Sequence, residues 1–470
     1  MEKIIQNVSI IGCGQVGTSI LLAMAKQDKK TPAVVCDANK ETEQLIRQKF
    51  SAEGFDLSFV TFVNTIQEAV SNADLVILAT PIDRFDSCAR EVAKFAKQDA
   101  IITDTGSAKK VAIENITGGI AGTDIQYVPA HPGNGSQGSG PLTSGAGNIL
   151  GKNSTMFLIH QDGENFVPPE DSPEKRVQDF WNNMGVTTYY ITTEKHDKFF
   201  GQCSHFQHAL MFGLMNMALD NPNMLHNFQH AGTALRNMSR VAISQLKEGQ
   251  PSALVQMWVP IFEQNKTSVL EAYHRFSGHL ATLKDMISND DSKSLEKTLK
   301  IAKDFRDGFD DPDRREVITG EIADIREIPK FHALQKGDLS ALFRVESLPA
   351  TASNLLLPIT LAYAQTMSAK DIDPDFIEMK ANPSFRDGTH PVTYATSYLV
   401  ELVKAHKQQV LDLIENYEIS LKLLMDGIEK GDIEFTKAFI LDAQKIRNGM
   451  PAPRKNDAVR AEFEARREVA

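Results

Sequence analysis

Val8-Ser9-Ile10-Ile11-Gly12-Cys13-Gly14-Gln15-Val16-Gly17 is the stretch that decides the fold of the first part of the chain. Its first four residues are mostly apolar and predict a buried strand, while Thr18 to Ala25 has the composition of a helix. The Gly-x-Gly-x-x-Gly pattern between them stands in the strand–turn–helix context that a dinucleotide site requires. Gly12 permits the tight turn, Gly14 lets backbone approach a pyrophosphate, and Gly17 lets the helix pack closely on the strand.

The second predicted strand carries the feature that selects the nucleotide. It ends in Asp37, twenty residues after Gly17, where a carboxylate can bind both ribose hydroxyls and repel a 2′-phosphate. NAD is therefore the expected cofactor, although Asn39 and Lys40 leave NADP open. The residues expected to bind it are Gly12, Gly14, Gln15, Val16, Gly17, Asp37, Thr80 and Pro81.

Three further predicted strands, at residues 74–79, 100–104 and 125–128, each lead into a polar side chain. These side chains belong to Thr80, Ser107 and His131. Because ligands of an open parallel sheet bind beyond the carboxyl ends of its strands, we expect the three residues to face one crevice.

The stretch from Ala130 to Pro141 places His131 at the head of a glycine-rich loop. A neutral imidazole can accept a hydrogen bond from a substrate hydroxyl near neutral pH. A plain solvent loop is the alternative for such a stretch when it is taken by itself.

Composition excludes several classes of function. The net charge of −11, without a run of basic residues, argues against nucleic acid and against an anionic membrane as partners. The four cysteines are scattered, as in a reducing cytoplasm, and predict neither disulfides nor a metal site. No signal peptide is visible, and the apolar stretches are too short to span a bilayer, so we expect a cytoplasmic protein.

Five short motifs follow one another in the middle of the chain. They are Asp104-Thr105-Gly106-Ser107-Ala108-Lys109, His131-Pro132 with Ser139-Gly140-Pro141, His196-Asp197, Ser204-His205-Phe206-Gln207-His208, and Leu235-Arg236-Asn237-Met238-Ser239-Arg240-Val241-Ala242. In this order they resemble the motifs of the prephenate/arogenate dehydrogenase family, and the resemblance covers roughly residues 7–306.

The resemblance implies an oxidoreductase of tyrosine biosynthesis that takes a small anionic substrate. Prephenate would lose hydride from ring C4 and its ring carboxylate as carbon dioxide, giving 4-hydroxyphenylpyruvate; arogenate would give tyrosine. His131 would accept from the C4 hydroxyl, and Ser107 would bind that hydroxyl or orient His131. The implied substrate-binding residues are Arg240, His205, His208, Ser204, Gln137 and Arg386. Gln137 departs from the family, which often has Glu there.

The helical half of the sequence repeats itself. Residues 269–306 match residues 410–447 at a shift of 141, and residues 236–240 match 386–390 at a shift of 150. Family members dimerise through this region, so we expect either a monomer with a pseudo-dimeric helical region or a homodimer. In the pseudo-dimer, Arg386 would reach the site across the internal interface.

The predicted fold class is therefore an α/β Rossmann-type parallel-sheet domain followed by an all-α domain that is internally duplicated. The expected bounds are 1–190 for the nucleotide-binding domain, 191–310 for the first helical copy, 311–350 for a connector, 351–450 for the second copy and 451–470 for a charged tail. Two other functions stay open. One is a non-catalytic nucleotide-binding homologue, and the other is a reductase of the β-hydroxyacid or pyrroline-carboxylate type.

Overall fold

The structure, a computed structural model, describes residues 5–133, 140–145, 150, 154–217, 239–242, 252–307, 349–367 and 396–449. The expectations for Gln137, Arg386 and the charged tail lie outside the described residues, as does nearly all of the connector. Arg240 is described only as part of a short backbone turn, Ser239–Ala242.

A six-stranded parallel sheet forms the core of the first domain. Its strands lie in the order β3-β2-β1-β4-β5-β6. Strands β2 and β3 are added on one side of β1 and the last three strands on the other, so the order switches between β1 and β4. The strands are β1 (Val8–Ile11), β2 (Ala33–Cys36), β3 (Val60–Val63), β4 (Leu75–Leu78), β5 (Ile101–Asp104) and β6 (Gln126–Val128). The central strands are buried on both faces, which explains their continuous apolar runs. The predicted Rossmann-type sheet is confirmed.

Five helices connect these strands and cover the sheet. They are α1 (Gln15–Ala25), α2 (Thr42–Glu53), α3 (Ile66–Val70), α4 (Phe85–Phe95) and α5 (Lys109–Gly119). In α4, Phe85, Cys88, Ala89 and Val92 recur at helical spacing, and all four are buried toward the sheet and α5.

A second, three-stranded sheet was not predicted. It consists of β7 (Ala130–Pro132), β8 (Thr155–Ile159) and β9 (Thr187–Ile191), with α6 (Pro173–Asn183) between the last two strands. β7 runs antiparallel to β8. His131 therefore lies in a buried strand, and the solvent-loop alternative is wrong for this residue.

The rest of the described chain is helical, as predicted. An almost continuous helix comprises α7 (Thr193–Phe200), a π-helical turn (Gly201–His205) and α8 (Phe206–Asn216). The later helices are α9 (Ala253–Gln264), α10 (Lys266–Ser288), α11 (Ser292–Asp307), α12 (Pro349–Met367), α13 (Thr396–Ala405), α14 (Lys407–Lys430) and α15 (Ile433–Gly449). They share one apolar core. None of the described helices combines the length and the hydropathy of a membrane span.

Candidate active site

The glycine-rich turn after β1 has the shape of a dinucleotide site. Gly12 has φ +84°, and a Cβ there would lie 2.8 Å from the backbone nitrogen of Thr80, so only glycine fits. A Cβ on Gly17 would lie 2.4 Å from the carbonyl oxygen of Gly12. A Cβ on Gly14, in contrast, would meet no atom within 4 Å. Gly14 thus borders open space at the N-terminus of α1, where it provides no side-chain cap and a phosphate group fits.

Asp37 lies beside this turn, at the tip of β2. Its Oδ2 accepts a hydrogen bond from the backbone N–H of Cys13 at 2.6 Å, and its Oδ1 accepts from that of Asn39 at 2.8 Å. The carboxylate is therefore held next to the glycine-rich turn, where the ribose of a dinucleotide is expected.

A buried ion pair links the end of β5 to the start of α5 and to β7. Lys109 Nζ contacts Asp104 Oδ2 and also donates to the carbonyl oxygen of Ala130 at 2.6 Å. The other oxygen of Asp104 accepts from the hydroxyl of Tyr127 at 2.8 Å. Burial lowers the pKa of Lys109, and the Asp104 charge opposes that shift. Removing one partner of such a buried pair costs about 3–5 kcal/mol. The bond from Lys109 to Ala130 ties the pair to the strand that carries His131.

His131 is the first member of a hydrogen-bonded chain of three side chains. His131 Nδ1 lies 2.9 Å from His196 Nε2, and His196 Nδ1 lies 2.9 Å from Asp197 Oδ1. The carboxylate of Asp197 also accepts from the backbone N–H groups of Lys109, at 2.7 Å, and Lys110, at 2.9 Å. The start of α5 thus anchors this series of hydrogen-bonded side chains.

The tautomers in this chain follow from its last member. Burial alone would raise the pKa of Asp197, but the hydrogen bonds from His196 and from the two backbone groups lower it, so Asp197 is an ionised acceptor. His196 must then donate from Nδ1, which leaves its Nε2 as an acceptor. His131 accordingly donates from Nδ1, and its Nε2 keeps a free lone pair. No described residue forms a hydrogen bond with that nitrogen.

Burial keeps both imidazoles neutral. It lowers the pKa of His131 well below its usual value, and His196 and Lys109 add to this effect. Burial also lowers the pKa of His196, although Asp197 acts in the opposite direction. The ring of Phe200 covers His131 at a centroid distance of 4.4 Å. The site therefore offers an uncharged acceptor in an apolar setting at neutral pH.

His205 presents a donor to the same region. The amide nitrogen of Asn265 donates to the carbonyl oxygen of Asp197, at 2.8 Å, and lies 3.0 Å from His205 Nδ1. His205 Nδ1 is thus an acceptor, so Nε2 carries the proton. This nitrogen is buried without a hydrogen-bond partner in the described structure. Burial lowers the pKa of His205 to about 3, so the ring is a neutral donor.

Trp258, from α9, lies against His205 and His208, which belong to the continuous π-helical turn and α8, here called the site helix. Its ring stacks on His208 at 3.7 Å and lies 6.1 Å from the ring of His205. Its Nε1 is also buried and lacks a partner in the described structure. His208 donates from Nδ1 to the carbonyl oxygen of Ser204 at 2.8 Å, and burial lowers its pKa to about 4. Two unpaired N–H donors on neighbouring rings fit an acceptor-rich ligand such as a carboxylate.

Two family models match the chain in succession. The nucleotide-binding domain of prephenate dehydrogenase matches residues 41–157, and the dimerization domain of prephenate dehydrogenase matches residues 192–301. In both of these parts the chain matches the prephenate dehydrogenase family.

Similar proteins agree with this assignment. The prephenate dehydrogenase of Lactococcus lactis is 27% identical over 315 residues, which are 66% of this chain and 78% of that protein. The cyclohexadienyl dehydrogenase of Zymomonas mobilis is 24% identical over 64% of this chain and 96% of its own length. The crystal structure of Aquifex aeolicus prephenate dehydrogenase with hydroxyphenyl propionate and NAD+ has the same fold. It aligns with a TM-score of 0.52 and 24% identity, over 66% of this chain and all of that one.

The structure brings some of the residues expected from the family motifs together and leaves others apart. His205 and His208 both contact Trp258, and His131 lies at the end of its own hydrogen-bonded chain. Ser107 follows β5 but forms no hydrogen bond with His131 in the structure, where His196 is the orienting partner. The role of Ser107 toward a substrate hydroxyl stays a prediction.

Sequence reasoning named His196 and Asp197 only as part of a family motif and gave them no role. It also missed Asn265 and Trp258, although Trp258 is one of only two tryptophans in the chain. The Asp104–Lys109 pair stands five residues apart in the family's first motif, and that spacing was the available signal for it.

Proposed function

We propose that this protein oxidises prephenate to 4-hydroxyphenylpyruvate, with NAD as the hydride acceptor. The observation that carries the proposal is the series of hydrogen bonds from Asp197 through His196 to His131. It leaves His131 Nε2 as a neutral acceptor. The reaction needs such an acceptor, because the C4 hydroxyl of prephenate must stabilise positive charge as hydride leaves the same carbon.

His131 accepts a hydrogen bond from the C4 hydroxyl, and this hydrogen bond becomes stronger as the C4–H bond breaks. The nicotinamide, when bound, supplies the hydride acceptor. The ring carboxylate then leaves as carbon dioxide, its bonding electrons complete the aromatic ring, and the hydroxyl becomes a phenol. His196 is a positioning residue, since it fixes the tautomer and the ring plane of His131 through Nδ1.

The substrate carboxylates find donors on the helical side. His205 Nε2 and Trp258 Nε1 are buried N–H groups that a carboxylate would satisfy. Arg240 is proposed as the bidentate cationic partner, and Ser204 and His208 as further substrate contacts, as the family motifs imply. Gln137 and Arg386 are kept as proposed substrate contacts on sequence grounds alone.

The nucleotide site supports NAD. The open space at Gly14 and the uncapped start of α1 fit a pyrophosphate, and the carboxylate of Asp37 beside them fits an unphosphorylated ribose. The Aquifex structure of the same fold holds NAD+.

An absorbance assay of NAD(P)H formation tests the function, with prephenate and arogenate each combined with NAD and NADP. We expect prephenate with NAD to give the highest kcat/KM. A preference for arogenate would make this amino analogue the substrate. Absence of turnover with all four combinations would support a non-catalytic homologue.

The variant His131→Asn tests the assigned acceptor. We expect kcat to fall by about 10²- to 10⁴-fold, the usual contribution of a positioned acid–base group, while NADH still binds. His274→Asn is the matched control, because His274 is an exposed histidine of α10 and its loss leaves the site intact. Full turnover by His131→Asn would remove the assignment.

A further inference from the structure

The two halves of the helical region have matching helices. α10 and α14 begin 141 residues apart, and so do α11 and α15. The residues that precede the two long helices also match in backbone conformation. Asn265 has φ −114° and ψ 29°, and His406 has φ −124° and ψ 29°. The described helices therefore repeat with the spacing seen in the sequence.

Burial repeats with the same spacing. Six apolar residues of α10 are buried, and the residue 141 positions later in α14 is buried in every case. The residues of α10 are Val269, Ala272, Phe276, Leu280, Leu283 and Ile287, and their counterparts are Val410, Leu413, Tyr417, Leu421, Leu424 and Ile428. The two long helices thus use the same face for the shared core.

Contacts that the first half makes with the second have equivalent contacts in the opposite direction, as a two-fold axis requires. α8 packs on α14 and α15, while α12 packs on α10 and α11. Lys266 Nζ donates to the carbonyl oxygen of Glu429 at 3.2 Å, and Lys407 Nζ donates to that of Ser288 at 2.8 Å. At the shift of 141, Lys266 corresponds to Lys407 and Ser288 corresponds to Glu429. The two bonds are therefore the same contact, made once in each direction. Such reciprocity defines an isologous interface between two identical units.

The axis of this arrangement passes between α10 and α14. Phe276 and Tyr417 occupy equivalent positions, and their rings meet edge to face at a centroid distance of 6.2 Å. A residue can contact its own counterpart in this way only beside a two-fold axis.

The second half also supports the helix that carries His205. The hydroxyl of Tyr363 donates to the carbonyl oxygen of Cys203 in the π-helical turn at 3.2 Å. The hydroxyl of Tyr417 donates to the carbonyl oxygen of Leu210 at 3.1 Å. The site helix is thus anchored by side chains from the later half of the same chain.

We propose that residues 349–449 are a second copy of the helical unit of residues 193–307 and occupy, within one chain, the place of a second subunit. The protein is then a monomer that contains its own dimer interface and has one active site. Residues 308–470 contain no Gly-x-Gly-x-x-Gly pattern, and α12 has no histidine where the first copy has His205 and His208. The single-site part of this inference rests on the proposed function, whereas the monomer does not.

Sedimentation equilibrium of the full chain over a wide concentration range tests the assembly. We expect one species at the chain mass of 52.0 kDa. A stable species of twice that mass would overturn the proposal. Because no substrate is involved, a failure of the proposed dehydrogenase activity would leave this result unchanged.

A cross-linking experiment tests whether the interface forms within one chain. Lys284 Nζ and Glu418 Oε2 form an ion pair across it at 2.9 Å, so a carbodiimide can join them in an amide bond with loss of water. Equal amounts of ordinary and ¹⁵N-labelled full-length protein are unfolded, refolded together and cross-linked. We expect Lys284–Glu418 peptide pairs with a single isotope, and none from the control variant Glu418→Gln. Pairs with mixed isotopes would show exchange between chains and contradict the inference.

Discussion

At the scale of single residues, the protonation of His131 is the feature with the clearest consequence. Its pKa is lowered by burial, and the acceptor role requires the neutral ring. Lowering the pKa of a base extends the neutral form to lower pH. The activity that depends on neutral His131 is therefore kept below the ordinary histidine pKa of about 6.5, and is lost only as the pH falls through the lowered value.

We predict that kcat/KM for prephenate, which reports ionisations of the free enzyme and substrate, changes less than about threefold between about pH 7.5 and 5.5. A profile over this range, with NAD saturating, provides the measurement. A tenfold decline centred near pH 6.5 in the wild type would show an ordinary histidine and contradict the buried, neutral acceptor. The same profile for His274→Asn is the control for general effects of acid.

At the residue scale, the sequence indicates site geometry where a local motif sets it and gives no signal where distant packing does. Gly12, Gly14 and Asp37 are identified by spacing alone, because one short strand–turn–helix unit sets their geometry. His196 is 65 residues from His131, and only the packing of α7 beside α5 brings their rings together. No local pattern shows that contact.

At the scale of elements, the turn between β1 and α1 contains two glycines that are needed for different reasons, one for backbone conformation and one for open space. Gly12 needs its positive φ and has Thr80 against it, whereas Gly14 has φ −69° and open space beside it. The backbone therefore requires glycine at position 12, whereas at position 14 we propose that glycine serves ligand approach.

We predict that Gly14→Ala folds with nearly wild-type Tm but binds NADH at least tenfold more weakly, because its methyl group enters the phosphate space. Gly12→Ala is the matched variant and should lower Tm, since φ > 0 and the Thr80 contact both strain it. Thermal unfolding and fluorescence titration with NADH provide the two measurements. If Gly14→Ala bound NADH as tightly as the wild type, this turn would not be the pyrophosphate site.

Elements were predictable in proportion to their length and periodicity. The buried strands of the first sheet and the long helices carry clear patterns. The second sheet was missed because β7 has three residues, one of them a proline, and lies next to the glycine-rich stretch. The π-helical turn also has no sequence signature. It begins at Gly201, where α10 approaches so closely that a Cβ would lie 2.3 Å from the Cβ of Ser268.

At the scale of the whole molecule, the repeat has a thermodynamic consequence that the sequence periodicity alone does not give. The two helical halves share one apolar core, in which α8 packs on α14 and α15, and α12 packs on α10 and α11. Loss of either half would expose the apolar face of the other. The halves are therefore expected to unfold together, whereas the nucleotide-binding sheet has separate cores on its two faces.

We predict that native-state hydrogen exchange finds the same opening free energy for α10 and α14, within about 1 kcal/mol. Leu280→Ala and Leu421→Ala remove equivalent buried side chains, and each should cost about 2–5 kcal/mol. Each variant should lower protection in both helices by the same amount, whichever copy carries the change. Protection of α4 serves as the internal reference, because that helix packs in the core of the nucleotide-binding sheet. If Leu421→Ala loosened α14 and left α10 at its wild-type protection, the two copies would be independent units and not halves of one internal dimer.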